Sequence, residues 1–203
     1  VTITNAAPAG TYTITVTVSD NCGATVQQTF TLTVNSPPTI TAGVTATRQQ
    51  SSAGTSATIA TVNDAETPKQ NLTVAVMSAS TGISLISISA PNAMTGEVTA
   101  MVAADCTAAL GDNIVVLQVT DGENDTATVN CTVNVTANSA PTLTYANPAA
   151  LVPGGGATVN PATGPTDNGA VSTLAVQSLG TFTGTVNVNN TTGVVTLGNA
   201  APV

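Results

Sequence analysis

Ten carboxylates, three thiols and no imidazole set the range of chemistry open to this chain. They are Asp20, Asp64, Glu66, Glu97, Asp105, Asp112, Asp121, Glu123, Asp125 and Asp167, with Cys22, Cys106 and Cys131. Without histidine there is no Ser–His or Cys–His dyad to activate a nucleophile. The acidic residues stand mostly one at a time in turn-rich stretches. The aromatic platforms that would hold a sugar beside a glycosidase carboxylate pair are scarce, with two Tyr, two Phe and no Trp. Gly154-Gly155-Gly156 is not followed by the Lys-Ser/Thr of a phosphate loop. The expectation is therefore a chain that is not an enzyme, with no catalytic residue and no cofactor. The densest oxygen cluster, Asp121-Gly122-Glu123-Asn124-Asp125, has residue types that suit either a hard cation such as calcium or a tight turn.

The charge balance narrows the partners. Arg48 and Lys69 are the two basic residues, the formal net charge is −8, and charged residues make up 6 % of the chain. Two cations cannot neutralise a phosphate backbone, so nucleic acid is excluded, and an anionic membrane surface fits no better. No apolar run is long enough to span a bilayer and no signal peptide opens at Val1; the expectation is a mature or excerpted segment of an exported protein, with no membrane insertion of its own. So little charge, with a mean hydropathy of +0.30, is unusual for a free soluble chain, since such surfaces carry roughly a quarter to a third charged residues. Burial of surface in a polymer or a glycan coat on Thr, Ser and Asn would make it tolerable, and both point to an extracellular or cell-surface location. Sequons start at Asn71, Asn124, Asn130, Asn134, Asn189 and Asn190.

The elements that position these groups are read from periodicity. From Gly10 to Asp20, Thr11, Thr13, Thr15 and Thr17 alternate with Tyr12, Ile14, Val16 and Val18, which gives a strand with an apolar and a hydroxyl face. After the turn-rich Ser19–Gly23, Val26, Phe30, Leu32 and Val34 mark the apolar face of a second strand, and the two read as a hairpin. Val26 to Thr41 aligns without a gap on Val129 to Thr144, an offset of 103 (141 − 38 at the prolines), and Gly10 and Val18-Ser19-Asp20 match Gly111 and Val119-Thr120-Asp121. Thr-Gly-x-Val-Thr occurs at 95–99 and 192–196, and Val1–Pro8 resembles Val195–Pro202. Repeats averaging 97 residues (194 over two) are the size of an immunoglobulin-like sandwich.

The linkers place the boundaries. Residues 37–138 form a complete repeat, 1–36 its C-terminal hairpin alone, and 139–203 its N-terminal strands alone. The two pieces complete one another, either between head-to-tail subunits or as a window cut from a continuous array, which the matched ends favour. Within 37–138 the expected strands are Ala57–Val62, Leu72–Val76, Ile83–Ile88, Glu97–Val102, Ile114–Thr120 and Thr126–Thr136. No window has a helical period, so the fold class is all-β. If Val119 faces Thr126, Cys131 lies near Asn113 and Ile114, and a Cys106–Cys131 bridge becomes the preferred pairing. Cys22 is then unpaired or intermolecular, where stacked domains could set it opposite Cys106; reduced thiols are the alternative.

Gly-Thr-Tyr-Thr-Ile-Thr-Val-Thr-Val-Ser-Asp-Asn-Cys-Gly-Ala, followed by Thr-Phe-Thr-Leu-Thr-Val-Asn and taken with Thr-Gly-x-Val-Thr, resembles the tandem Ig-like, cadherin-like (dystroglycan-type) repeats of bacterial surface proteins. The resemblance implies Greek-key sandwiches used as stalks, spacers and adhesive fibres. It also implies calcium between domains, for which Asp64-Ala65-Glu66 is a weakened Asp-x-Asp match and Asp121 a further candidate. The linkers at Asn35 and Asn138 lack the family's acidic run, and Met101–Asp105 replaces its Asp-Arg-Glu segment. Calcium takes about six to eight oxygens, more than these residues supply, so no metal ligand is assigned and turn formation is the preferred role. The functional expectation is a structural repeat unit of an extracellular fibre, stalk or filament, whose partner is itself. The alternative is an adhesin segment that binds carbohydrate or a host protein through polar loops.

Overall fold

A computed structural model describes residues 2–4 and 8–198, and within them the chain is all-β. Strands β1 (Gly10–Ser19) and β2 (Thr25–Val34) form the expected antiparallel hairpin, running from Gly10 opposite Val34 to Ser19 opposite Thr25. Next come β3 (Thr39–Ala42), β4 (Ala46–Gln49), β5 (Thr55–Asn63), β6 (Thr73–Ala79), β7 (Ile83–Ile86), β8 (Glu97–Ala104), β9 (Gly111–Thr120) and β10 (Thr126–Thr136). They build two four-stranded sheets, β3-β5-β8-β7 and β4-β10-β9-β6. The β5–β6, β6–β7 and β8–β9 connections each cross from one sheet to the other, so the two form a sandwich.

The core lies between those sheets. Ile59, Val62, Leu72, Val98, Val102, Val115, Leu117, Val119 and Val133 are buried there among small residues such as Ala60 and Ala100. β9 and β10 alternate a buried set, Val115, Leu117, Val119, Cys131, Val133 and Val135, with more exposed neighbours, as expected of a sheet with one face on the core. Arg48 fastens β4 to the opposite sheet: its Nε donates to the Val102 carbonyl (2.8 Å) and its Nη2 to Thr55 (2.8 Å). Burial lowers its pKa from the usual guanidinium range.

Three details depart from the sequence reading. β3 and β4 were not anticipated, because four residues each are too short to establish a period. Val119 faces Ala127 and Thr126 faces Thr120, so Cys131 sits opposite Val115 rather than between Asn113 and Ile114. The turn Asp121–Asp125 holds five residues between the paired ends Thr120 and Thr126, one fewer than a Val119–Thr126 pairing requires. The hairpins β1–β2 and β9–β10 also correspond at an offset of 101 (111 − 10 and 135 − 34), and the 103 offset holds from the following linker onward.

Beyond Ser139 the strands are short. β11 (Thr142–Tyr145) pairs with β13 (Pro161–Thr166), while β12 (Ala157–Val159), β15 (Val195–Gly198) and β14 (Thr185–Val188) form a three-stranded sheet in the order β12-β15-β14. Thr142 opposite Thr166 repeats Thr39 opposite Asn63 at an offset of 103. Together these strands follow the order of the β3-β5-β8-β7 sheet. Residues 167–184 hold no strand, and among the described residues none of the buried core side chains comes from this region. The likeness of Val1–Pro8 to Val195–Pro202 falls partly outside the described residues.

Candidate functional site

The hairpin β1–β2 carries the most conspicuous surface of the chain. Tyr12 and Leu32, Ile14 and Phe30, and Val18 and Val26 are paired across it, so their side chains share one face. That face meets solvent: Val18 is 61 % exposed, Val26 56 %, Phe30 40 % and Val16 37 %. The counterparts of Ile14, Val16, Val18, Phe30 and Leu32 at the 101 offset are Val115, Leu117, Val119, Cys131 and Val133, all buried in the sandwich.

The two hairpin turns are built alike, which fixes the correspondence without recourse to sequence similarity. Asp20 Oδ1 accepts hydrogen bonds from the backbone N–H of Cys22 (2.9 Å) and Ala24 (2.8 Å). Asp121 Oδ1 accepts from Glu123 (3.0 Å) and Asp125 (2.8 Å). Gly23 (φ 88°) and Asn124 (φ 71°), again 101 apart, are both left-handed, a conformation that Gly and Asn adopt at least cost.

Around the β9–β10 turn lies a polar junction. Asn35 Nδ2 donates to Asp121 Oδ2 (2.8 Å) and Asp125 Oδ2 (3.0 Å), and Ser36 Oγ donates to Glu66 Oε2 (2.7 Å). Asp64 Oδ1 accepts from the N–H of Glu66 (2.8 Å) and Thr67 (2.6 Å). The structure thus gathers Asp64, Glu66 and Asp121 at one pole with Asp125. Among the described residues no three carboxylates converge with metal-ligating geometry, and their oxygens serve turns and the linker. Burial works to raise the Asp121 pKa, but hydrogen bonds from Asn35 and from the backbone of Asp125, Glu123 and Asn124 outweigh it, and the carboxyl is held below its usual range.

The three cysteines are free thiols in this structure. Cys131 is buried on β10, and burial pushes its pKa up, which keeps it in the unreactive thiol form. Cys106 and Cys22 are exposed, Cys106 in the β8–β9 loop and Cys22 in the β1–β2 turn. The expected Cys106–Cys131 bridge is therefore not formed, and Cys131 faces the core from β10, opposite Val115 of β9. Of the sequons, Asn134 is half-buried and donates to Asp112 (2.7 Å), and Asn189 Oδ1 accepts from Thr191 and Thr192 within its own turn.

At the opposite pole of the sandwich a cavity of ≈ 270 Å³ opens between Cys106, Asn138, Asp167, Ala170, Val171 and Thr173. Asp167 Oδ1 and both polar atoms of the Asn168 amide are buried without a hydrogen-bond partner, a costly state for buried polar groups. Sequence reasoning missed this cavity, since only the fold brings the Cys106 loop to the 138–141 and 167–173 segments.

No family model matches the chain, and neither does any curated protein. Solved structures are similar at low identity. An endo-fucoidan hydrolase from glycoside hydrolase family 107 is 14 % identical, with 96 % of this chain and 30 % of that chain covered and a TM-score of 0.37. A mouse clustered protocadherin fragment, PcdhgC3 EC1-3, is 16 % identical over 97 % of this chain and 67 % of that one, at 0.39. Protocadherin Gamma B2 extracellular cadherin domains 3-6 are 17 % identical over 95 % and 49 %, at 0.31. The chain spans 30 % and 49 % of the length of the hydrolase and the Gamma B2 fragment. The expectation of a chain that is not an enzyme is corrected by this comparison, because a hydrolase stands among the similar structures beside the cadherins. That expectation had rested on missing histidine, on carboxylates standing one at a time and on scarce aromatic residues.

Proposed function

We propose that this chain is a structural repeat unit of an extracellular or cell-surface fibre, stalk or filament, with immunoglobulin-like sandwiches following one another head to tail. In this reading residues 37–138 are a whole domain, 1–36 the closing hairpin of another, and 139–203 the opening strands of a third. The observation that carries it is the apolar face of β1–β2, open to solvent although its counterpart residues on β9 and β10 lie in a core. A solvated two-stranded hairpin is marginal by itself, and an exposed apolar patch of this kind marks an interaction surface. The low charge of the chain is tolerable where much of that surface is covered in an assembly. Negative-stain electron microscopy of the native protein tests the reading. Filaments with an axial repeat near the length of two domains are expected, and uniformly discrete particles at every concentration would contradict it.

A further inference from the structure

We infer that Asn130 carries an N-linked glycan, which lies over an apolar stripe of Ile114 and Val116 on the flank of the middle sandwich.

Cys131 and Val133 of β10 turn into the core, so the alternation of the strand sends Asn130 and Thr132 to the outer face of the β4-β10-β9-β6 sheet. Two residues apart on one face, the Asn130 carboxamide and the Thr132 hydroxyl stand side by side in the Asn-x-Thr acceptor sequence of N-glycosylation. Asn130 is exposed, and among the described residues its side-chain amide has no hydrogen-bond partner within the chain. The next sequon along the same face differs. Asn134 is half-buried and its Nδ2 donates to Asp112 Oδ1 at 2.7 Å, so a sugar there would break a bond that joins the two strands. Asn130 lies midway along β10, on the side of a sandwich that is complete from β3 to β10, rather than at either pole.

A second observation links the sugar to what it covers. The outer face of the β1–β2 hairpin is hydroxyl-rich, with Thr13, Thr15 and Thr17 opposite Thr31, Thr29 and Gln27. At the 101 offset β9 presents Ile114, Val116 and Gln118, opposite Thr132, Asn130 and Thr128. Two threonine positions on the first strand are thus apolar in the middle sandwich, and the Thr29 position on the second is the sequon asparagine. Val116 directly faces Asn130, and Ile114 directly faces Thr132. Ile114 is 39 % exposed, and Met77, at the neighbouring bulge of β6, is 57 % exposed. The C–H face of a sugar ring held beside Val116 and Ile114 removes that apolar surface from water. The hairpin with the hydroxyl face has neither the stripe nor a sequon.

The linkage draws on a glycosyl pyrophosphate borne by a lipid carrier and on a transferase that brings it to the chain. Asn130 Nδ2 bonds to C1 of the sugar, and the C1–O bond to the pyrophosphate breaks. The lipid pyrophosphate leaves with that electron pair, and one amide proton passes to solvent.

Mass spectrometric peptide mapping of the full chain, purified from its own host, tests the site. Fragmentation is expected to place hexose or N-acetylhexosamine mass on Asn130 and to leave Asn134 bare. Thr132→Ala should lose that mass, and Thr132→Ser should keep it. Hydroxyl-radical labelling of Ile114 should be stronger in folded Thr132→Ala than in the glycosylated protein. A bare Asn130 in native material, or sugar on Asn134 in its place, would overturn the assignment. Equal labelling of Ile114 with and without the sugar would overturn the covering of the stripe.

Discussion

Leu117 and Val16 occupy the same place in two copies of one hairpin, yet only Leu117 is surrounded by protein. Truncating Leu117 to Ala in the middle core should therefore cost about 2–5 kcal/mol, the range for a buried large-to-small change, read by urea denaturation. Val16→Ala in dilute monomers should cost within about 0.5 kcal/mol, because the side chain is already wet. Asp121 gives a second residue-level prediction. Its carboxyl is held below the usual range, so its stabilising effect is fully present above the ordinary Asp value of about 3.9 and is lost as pH falls through the lower folded value. Urea midpoints of the wild type should decline across that acid window, and those of Asp121→Asn should decline less. Asn35→Ala leaves Asp121 Oδ2 without its side-chain donor, and should destabilise by about 1–3 kcal/mol. These residues were legible in the sequence as turn formers, whereas the linker hydrogen bonds joining them were not, since Asn35 and Asp121 meet only through the fold.

The hairpins were the most legible elements, because a strand with one buried and one solvated face writes a period of two into its residues. β1, β2 and β10 fall where alternation places them. β3 and β4 escaped notice because four residues carry too little pattern, and β4 pairs in parallel with the distant β10, which no local signal announces. Residues 167–184 alternate weakly and form no strand; strand propensity needs a neighbouring edge before it becomes structure. Hydrogen exchange should reflect this contrast. In dilute monomers β1–β2 amides are expected to exchange much faster than those of β9–β10, whose opening requires the sandwich core to open. Equal protection in the two hairpins of dilute monomers would mean that the β1–β2 face is covered within its own chain.

On the proposed fibre reading, successive units meet through unlike surfaces, and such heterologous pairs build open chains unless the rotation closes a ring. The sequence repeats set the expected boundaries, but the gapless 103 match is two residues out of register across the hairpins, which correspond at 101 in the structure. They could not convey the cavity at Asn138 and Asp167, which exists only where three chain segments meet. Sedimentation equilibrium of the full chain over a broad concentration range tests the head-to-tail claim most directly. The weight-average mass should rise above the 19.8 kDa monomer and keep rising without a plateau. A mass fixed at the monomer value, or one that levels off at a closed dimer, would contradict it.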